Sequence, residues 1–80
     1  MDTKIAVIAV IVERGEAVET VNSLLHEFRG YIIGRLGLPY REKQVSVISV
    51  VLDAPVNVLN TLSGKLGMID GVSSKVLTAK

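Results

Sequence analysis

Two stretches of the chain are apolar at nearly every position. The first, Lys4 to Glu13, has aliphatic residues in both of its alternating sets, and the second, Gln44 to Asp53, contains four valines and one isoleucine. Branched aliphatic residues pack well on a pleated surface, and a strand that is apolar on both sides belongs in a sheet interior or an oligomer interface. We therefore predict that these two strands lie at the centre of one sheet.

Each of these strands is followed by a segment whose apolar residues have the spacing of a helix. The first predicted helix runs from about residue 16 to residue 29, and we expect Gly30 to end it as a left-handed cap. The second opens at Asp53-Ala54-Pro55, with Asp53 expected to accept hydrogen bonds from the first-turn amides, and Gly67 stops it. Each helix carries one apolar stripe, formed by Ala17, Val21, Leu24 and Phe28 in the first and by Pro55, Leu59, Leu62 and Leu66 in the second.

Two further strands complete the predicted fold. They are Tyr31–Leu36, followed by a turn at Leu38-Pro39-Tyr40, and Val72–Ala79, which follows the turn signal Asp70-Gly71. The order βαββαβ predicts one α+β domain over residues 1–80, a ferredoxin-like sandwich. Right-handed crossovers place both helices on one face of a four-stranded antiparallel sheet with the first and third strands central. The other face stays apolar and uncovered.

The composition predicts self-association. The chain has 80 residues, 49% of them hydrophobic, with a mean hydropathy of +0.46 and only two tyrosines and one phenylalanine. A domain of this size leaves roughly 35–40% of its unfolded-chain surface unburied. There is no cysteine, so a disulfide cannot provide extra stability. Self-association into a homo-oligomer is therefore expected.

Charge and hydropathy argue against two classes of partner. A net charge of +1 is far below the excess of positive charge that is typical of proteins that bind nucleic acid directly. The longest apolar run, Ile5 to Val12, is far shorter than the ~20 residues that span a bilayer, and the first residues do not resemble a signal peptide. We expect a cytoplasmic protein that binds neither nucleic acid nor membrane.

The sequence offers little for metal, phosphate or catalytic chemistry. His26 is the only histidine, and a metal site needs three or four ligands. The segment Ser63–Gly67 resembles a phosphate-binding loop only superficially, because Leu66 follows Lys65 and the segment ends a helix. Gly64 there is expected to allow close backbone packing. No catalytic constellation is visible, so we predict no enzyme activity, no metal and no cofactor.

The best candidate site is the basic turn between the second and third strands. Residues 29–43 carry three arginines and one lysine against one glutamate. We expect Arg35, Tyr40 and Arg41 to contact an anion or carboxylate, with Gly34 forming a bulge or close approach and Gly37 shaping the turn. The alternative is a solubilising hairpin tip without a ligand. The turn of residues 13–16 is read as a plain turn, because its two glutamates would repel an anionic effector.

Several of these segments resemble regulators of iron-only hydrogenase systems. They are residues 13–30, the run Gly34-Arg35-Leu36-Gly37-Leu38-Pro39-Tyr40-Arg41-Glu42, the helix end Leu62–Gly67 and Gly71-Val72. The family is similar to ACT-type regulatory domains and to the nickel-sensing half of the nickel-responsive repressor. This implies a transcriptional regulator with the ferredoxin-like fold that forms dimers or tetramers. The nickel sensor's histidines and cysteine are missing here, and Lys4 leaves no preceding residues for its DNA-binding domain, so neither property is carried over.

Two functions remain open at this point. One is an oligomeric ACT-like module that binds a small-molecule effector near a subunit interface. The other is a structural or adaptor protein that binds no small molecule and acts by protein–protein assembly.

Overall fold

A computed structural model describes residues 2–80. The strands are β1 (Lys4–Val12), β2 (Ile32–Tyr40), β3 (Val45–Ala54) and β4 (Val72–Thr78), and the helices are α1 (Ala17–Glu27) and α2 (Val56–Gly67). Two short 3₁₀ turns, Arg29–Tyr31 and Arg41–Lys43, flank β2. The four strands form one antiparallel sheet in the order β2-β3-β1-β4. The predicted ferredoxin-like topology with β1 and β3 at its centre is confirmed.

The core lies between one face of the sheet and the two helices. Val10 pairs with Ile48 and Ile8 with Val50, and all four side chains are buried under the helices. The sequence does not indicate which alternating set of β1 and β3 is covered. The structure buries Ala6, Ile8, Val10 and Val12 together with Ile48, Val50, Leu52 and Ala54.

The opposite face of the sheet is free of helices, and we call it the open face. Its members follow from the strand register: Gly34, Leu36, Leu38 and Tyr40 on β2; Val45, Val47, Ser49, Val51 and Asp53 on β3; Ile5, Val7, Ala9 and Ile11 on β1; Ser73, Lys75 and Leu77 on β4. Eight of these are large apolar residues with exposed side chains (Ile5, Val7, Ile11, Leu36, Leu38, Tyr40, Val47 and Leu77). The prediction of an uncovered apolar face is confirmed.

β2 is longer than the sequence indicates. It continues to Tyr40, so the residues predicted to turn, Leu38, Pro39 and Tyr40, pair with Val47, Ser46 and Val45. Proline is tolerated because β2 is an edge strand, where a missing ladder donor is acceptable. The turn itself is Arg41–Lys43 followed by Gln44, which adopts a left-handed conformation with φ 55°.

Three local predictions are wrong. Gly30 does not adopt a left-handed cap conformation: α1 gives way to the 3₁₀ turn, and Gly71 is the glycine with positive φ among residues 2–80. Asp53 does not cap α2, since it is still part of β3 and Pro55 stands at the N-cap without a side-chain cap bond. Gly64 makes no close approach, because a Cβ placed there would meet nothing within 4 Å.

A β-bulge near the start of β2 reverses the facing of the residues that follow. Ile32 pairs with Leu52 and Gly34 pairs with Val51, so one extra residue is inserted between them. The predicted bulge at Gly34 is confirmed. Because of it, Arg35 pairs with Val50 and lies on the helix-covered side of the sheet. Regular alternation from Ile32 would have placed Arg35 on the open face.

Candidate ligand-binding groove

A groove separates α1 from the half of the β2–β3 hairpin that lies next to its turn, and small residues create this groove. On the helix side of this half, β2 contributes Gly37 and Pro39, and β3 places Ser46 opposite Pro39. None of these side chains is long enough to fill the space beneath α1. The large residues of the same segment, Leu36, Leu38 and Tyr40, alternate onto the open face, and Leu38 and Tyr40 border the groove only from the side.

The groove consists of two adjoining hollows. The hairpin hollow, about 340 Å³, is lined by Val12, Glu13, Gly15, Val18, Pro39, Tyr40, Arg41, Gln44, Val45 and Ser46. The helix hollow, about 230 Å³, is lined by Val18, Asn22, Arg35, Gly37, Leu38, Pro39, Ser46 and Ile48. The two have Val18, Pro39 and Ser46 in common. Their combined size falls within the range of roughly 300–1,000 Å³ that is usual for small-molecule sites.

Arg35 is the cation of the helix hollow. Its Nη2 donates a 2.6 Å hydrogen bond to Oδ1 of Asn22 on α1. In residues 2–80 the ion pairs all involve Arg14, so no carboxylate neutralises Arg35. A guanidinium has five N–H donors, and a single amide partner leaves most of them available to an anion. The contact with Asn22 also fixes the direction in which the guanidinium points.

The hairpin hollow holds charges of both signs. Arg41 from the turn and Glu13 from the end of β1 both line it. Arg41, like Arg35, has no carboxylate within ion-pair distance in the described part of the chain. The hydroxyl of Tyr40 donates to Oε2 of Glu42 at 3.3 Å, a long and exposed contact that a ligand could displace. The hollow therefore offers one cation, one anion and exchangeable polar groups.

The loop that carries Glu13 is bonded to the turn that follows the C-terminal end of α2. The Glu13 amide donates to the carbonyl of Gly71 at 2.7 Å, and Nη1 of Arg14 lies 3.1 Å from Oδ2 of Asp70. Gly71 has φ 81°, and a Cβ there would lie 2.7 Å from Cγ of Arg14. These contacts hold one wall of the hairpin hollow in place.

The structure divides the five residues predicted for the ligand site, of which Arg35, Tyr40 and Arg41 were expected to contact the ligand and Gly34 and Gly37 to shape the backbone. Arg35 and Gly37 line the helix hollow, and Tyr40 and Arg41 line the hairpin hollow. Gly34 lines neither, because it pairs with Val51 on the open face. Its contribution is the bulge that directs Arg35 into the groove.

Sequence reasoning missed the wall of the groove that α1 and the β1–α1 loop provide. The stripe predicted for the first helix includes neither Asn22 nor Val18, and Glu13 was predicted to lie in a plain turn. Val18 lines both hollows, and Asn22 lines the helix hollow. A signal was present in the one-turn spacing of Val18 and Asn22, which puts both on one side of the helix.

Other site classes find no support in the described residues. Within residues 2–80, no three His, Cys, Asp or Glu side chains are grouped so that they could hold a metal ion. Neither of the two helices in this range has the length and hydropathy needed to cross a membrane. Lys65 lies within α2, with Nζ 5.8 Å from the centroid of the Phe28 ring, so its segment does not open a helix as a phosphate loop requires.

The profile of one protein family matches the chain over residues 4–76. It is the TM1266-like family, described as "Iron-only hydrogenase system regulator, putative". A search of curated protein sequences gave no match.

Solved structures agree with the family match. The structure of the uncharacterized protein TM1266 from Thermotoga maritima has 36% identity and a TM-score of 0.94, covering 99% of this chain and 100% of that chain. The C-terminal domain of the MgtC protein from Mycobacterium tuberculosis has 15% identity and a TM-score of 0.73, covering 96% and 88%. A formyltetrahydrofolate deformylase from Pseudomonas putida has 14% identity and a TM-score of 0.66, covering 91% of this chain but 28% of the enzyme. The last two likenesses concern the fold alone.

Proposed function

Because the chain belongs to the TM1266-like family of iron-only hydrogenase system regulators, we propose that it is an oligomeric regulatory module that binds a small anionic effector in the groove. It acts in the cytoplasm as a dimer or tetramer and influences transcription through a partner. The family description favours regulation over catalysis. The effector's anionic group contacts Arg35 and Arg41, and Tyr40 closes one end.

The observation that carries this proposal is a pair of arginines that have no carboxylate partner within residues 2–80. Both Arg35 and Arg41 line hollows that share their floor, and the bulge at Gly34 directs Arg35 into the groove. A surface arginine that serves solubility alone needs no such backbone irregularity. Guanidinium groups suit carboxylates and phosphates because they donate two parallel hydrogen bonds.

The open face supports the oligomeric part of the proposal. Eight large apolar side chains are exposed on one side of an 80-residue domain. Monomeric proteins rarely expose so large a contiguous apolar patch, and such patches mark interaction surfaces.

An NMR titration tests the ligand site directly. Isotope-labelled protein is titrated with inorganic phosphate and with a panel of organic carboxylates, and the amide shifts are mapped. We expect the largest shifts at Gly15, Gly37 and Gln44, which line the groove, while the amide of Gly64 on α2 serves as an internal control.

Charge-removing variants give the matched comparison. Arg35→Gln and Arg41→Gln are each expected to weaken binding about 10- to 100-fold, the value of a charge-assisted hydrogen bond of roughly 1.5–3 kcal/mol. Arg29→Gln removes the same charge outside the groove, where Nη1 of Arg29 donates to the carbonyl of His26, and should bind normally. Equal affinity in all three variants would contradict the site assignment.

A second candidate is an adaptor that binds no small molecule, and the extent of the open face favours it. On this view the face binds a maturation or regulatory protein. A defined complex with one partner, lost in an open-face variant such as Val47→Asp and retained in Arg35→Gln, would support the adaptor if no effector shifts the groove amides.

A further inference from the structure

We infer that the open face binds the open face of a second copy of this chain, related by a two-fold axis that runs along the strands. In this arrangement β2 of each copy lies over β4 of the other, and β1 lies over β3. The inference rests on the proposed function for the existence of an oligomer, and it specifies which residues meet.

The open face has a regular relief that follows from the register. One row across the sheet reads Leu36, Ser49, Ala9 and Lys75 from β2 to β4, so its centre is formed by small residues. The rows on either side contain valine and isoleucine at the two central strands. Bulk is concentrated at the two edges, where Leu38 on β2 is 58% exposed and Leu77 on β4 is 73% exposed.

Each edge offers a recess that suits the bulk of the opposite edge. On β2, Gly34 belongs to the same row as Leu77, and a Cβ at Gly34 would meet nothing within 4 Å. On β4, Ser73 borders a shallow hollow of about 190 Å³ that Ala9 and Ile11 also line. A two-fold axis along the strands places Leu77 of one copy over Gly34 of the other, and Leu38 over Ser73.

Charge selects this axis over its alternative. A two-fold axis across the strands, through the central row, would place Lys75 directly against Lys75 of the second copy. Like charges that face each other in an interface cost several kilocalories per mole. With the axis along the strands, Lys75 faces Leu36, where its methylene groups can cover the leucine while the amine reaches water at the sheet edge.

The area of the face allows a dimer interface of up to standard size. The molecule measures 42 × 19 × 19 Å, which limits the sheet face to roughly 800 Å² per copy, and each partner in an interface of standard size contributes about that area. Two twisted sheets that pack face to face lie about 10 Å apart with their strands within roughly 30° of each other. Tyr40 belongs both to this face and to the hairpin hollow, so assembly and effector binding share a residue.

Site-specific cross-linking tests the arrangement, because the chain has no cysteine of its own. Leu38→Cys and Ser73→Cys proteins are unfolded together, refolded as a mixture and treated with a bis-maleimide that spans about 10 Å. Leu36→Cys protein is treated alone, since Leu36 faces itself only with the axis across the strands. All three positions are exposed, and all three variants retain Lys75.

We expect the mixture to give Leu38–Ser73 cross-linked dimers in high yield and Leu36→Cys to give less than a tenth of that yield. Efficient cross-linking of Leu36→Cys alone, with little in the mixture, would overturn the proposed axis. A monomer at micromolar concentration by light scattering would overturn the face-to-face dimer altogether. Cross-linking through Leu36→Cys would leave the proposed function intact, whereas a monomer would remove its oligomeric part. The NMR titration tests the groove independently of both results.

Discussion

Nη2 of Arg35 lies 2.6 Å from Oδ1 of Asn22, and this contact exists because β2 contains one extra residue. The bulge between Ile32 and Gly34 turns Arg35 to the helix-covered side, where α1 presents Asn22. Bulges often re-aim a side chain next to a functional site. The contact thus connects an irregularity of the backbone to the orientation of the cation in the proposed effector site.

Replacing Asn22 tests whether this orientation matters for binding. Asn22→Ala removes an exposed hydrogen bond, so the free energy of unfolding should fall by less than about 1 kcal/mol. Anion affinity should fall as well, but less than in Arg35→Gln, because the charge is retained and only its placement is lost. Calorimetric titration and urea unfolding measure the two quantities. An affinity equal to that of the wild type would mean that Asn22 does not position Arg35.

Filling the groove should abolish binding without harming the fold. Gly37→Val adds a branched side chain at a strand position that has no positive φ and nothing within 4 Å of the new Cβ. We expect unchanged or slightly higher stability, by about 0.4–1 kcal/mol, because the unfolded chain loses conformational freedom. The phosphate-induced amide shifts of the wild type should disappear.

Gly64→Ala is the matched control for this glycine replacement. Gly64 lies within α2, away from both hollows, and has the same open surroundings. Alanine there should raise the helix stability by roughly 0.5–1 kcal/mol and leave binding unchanged. Loss of binding in this variant would mean that Gly37→Val acts through something other than the filled groove.

Gly71 should tolerate no side chain. Its φ of 81° is costly for an L-residue, and a Cβ would lie 2.7 Å from Cγ of Arg14. Gly71→Ala is therefore expected to lower the free energy of unfolding by about 1–3 kcal/mol. Gly30→Ala, with no positive φ and open surroundings, should change it by less than about 1 kcal/mol. Equal losses in the two variants would refute the contact with Arg14.

Two valines on opposite faces of β3 distinguish the effect of a buried charge on folding from its effect on assembly. Val50 is fully buried under the helices, so Val50→Asp should cost several kilocalories per mole and unfold the domain. Val47 lies on the open face, so Val47→Asp should fold, as circular dichroism would report, but sediment as a monomer. A folded Val47→Asp protein that keeps its oligomeric state would exclude this face as the interface.

The fold was predictable from the sequence because the strands and helices carry strong, regular patterns. The alternation in β1 and β3 defines the two faces, and the stripes of α1 and α2 define what covers one of them. Gly34 indicated a bulge, but the sequence does not show where the extra residue is inserted, so the side of the sheet on which Arg35 lies could not be predicted. Arg35 was recognised by its chemistry, whereas Asn22 was missed because its partner lies 13 residues away and the pairing depends on that bulge.

Native mass spectrometry of the purified protein reports subunit number and retained ligand together, so one spectrum tests both the oligomer and its effector. We expect a dimer or tetramer that carries a small anion, and the loss of that added mass in Arg35→Gln and Arg41→Gln but not in Arg29→Gln. A monomer without added mass, from protein whose fold is intact, would contradict this expectation.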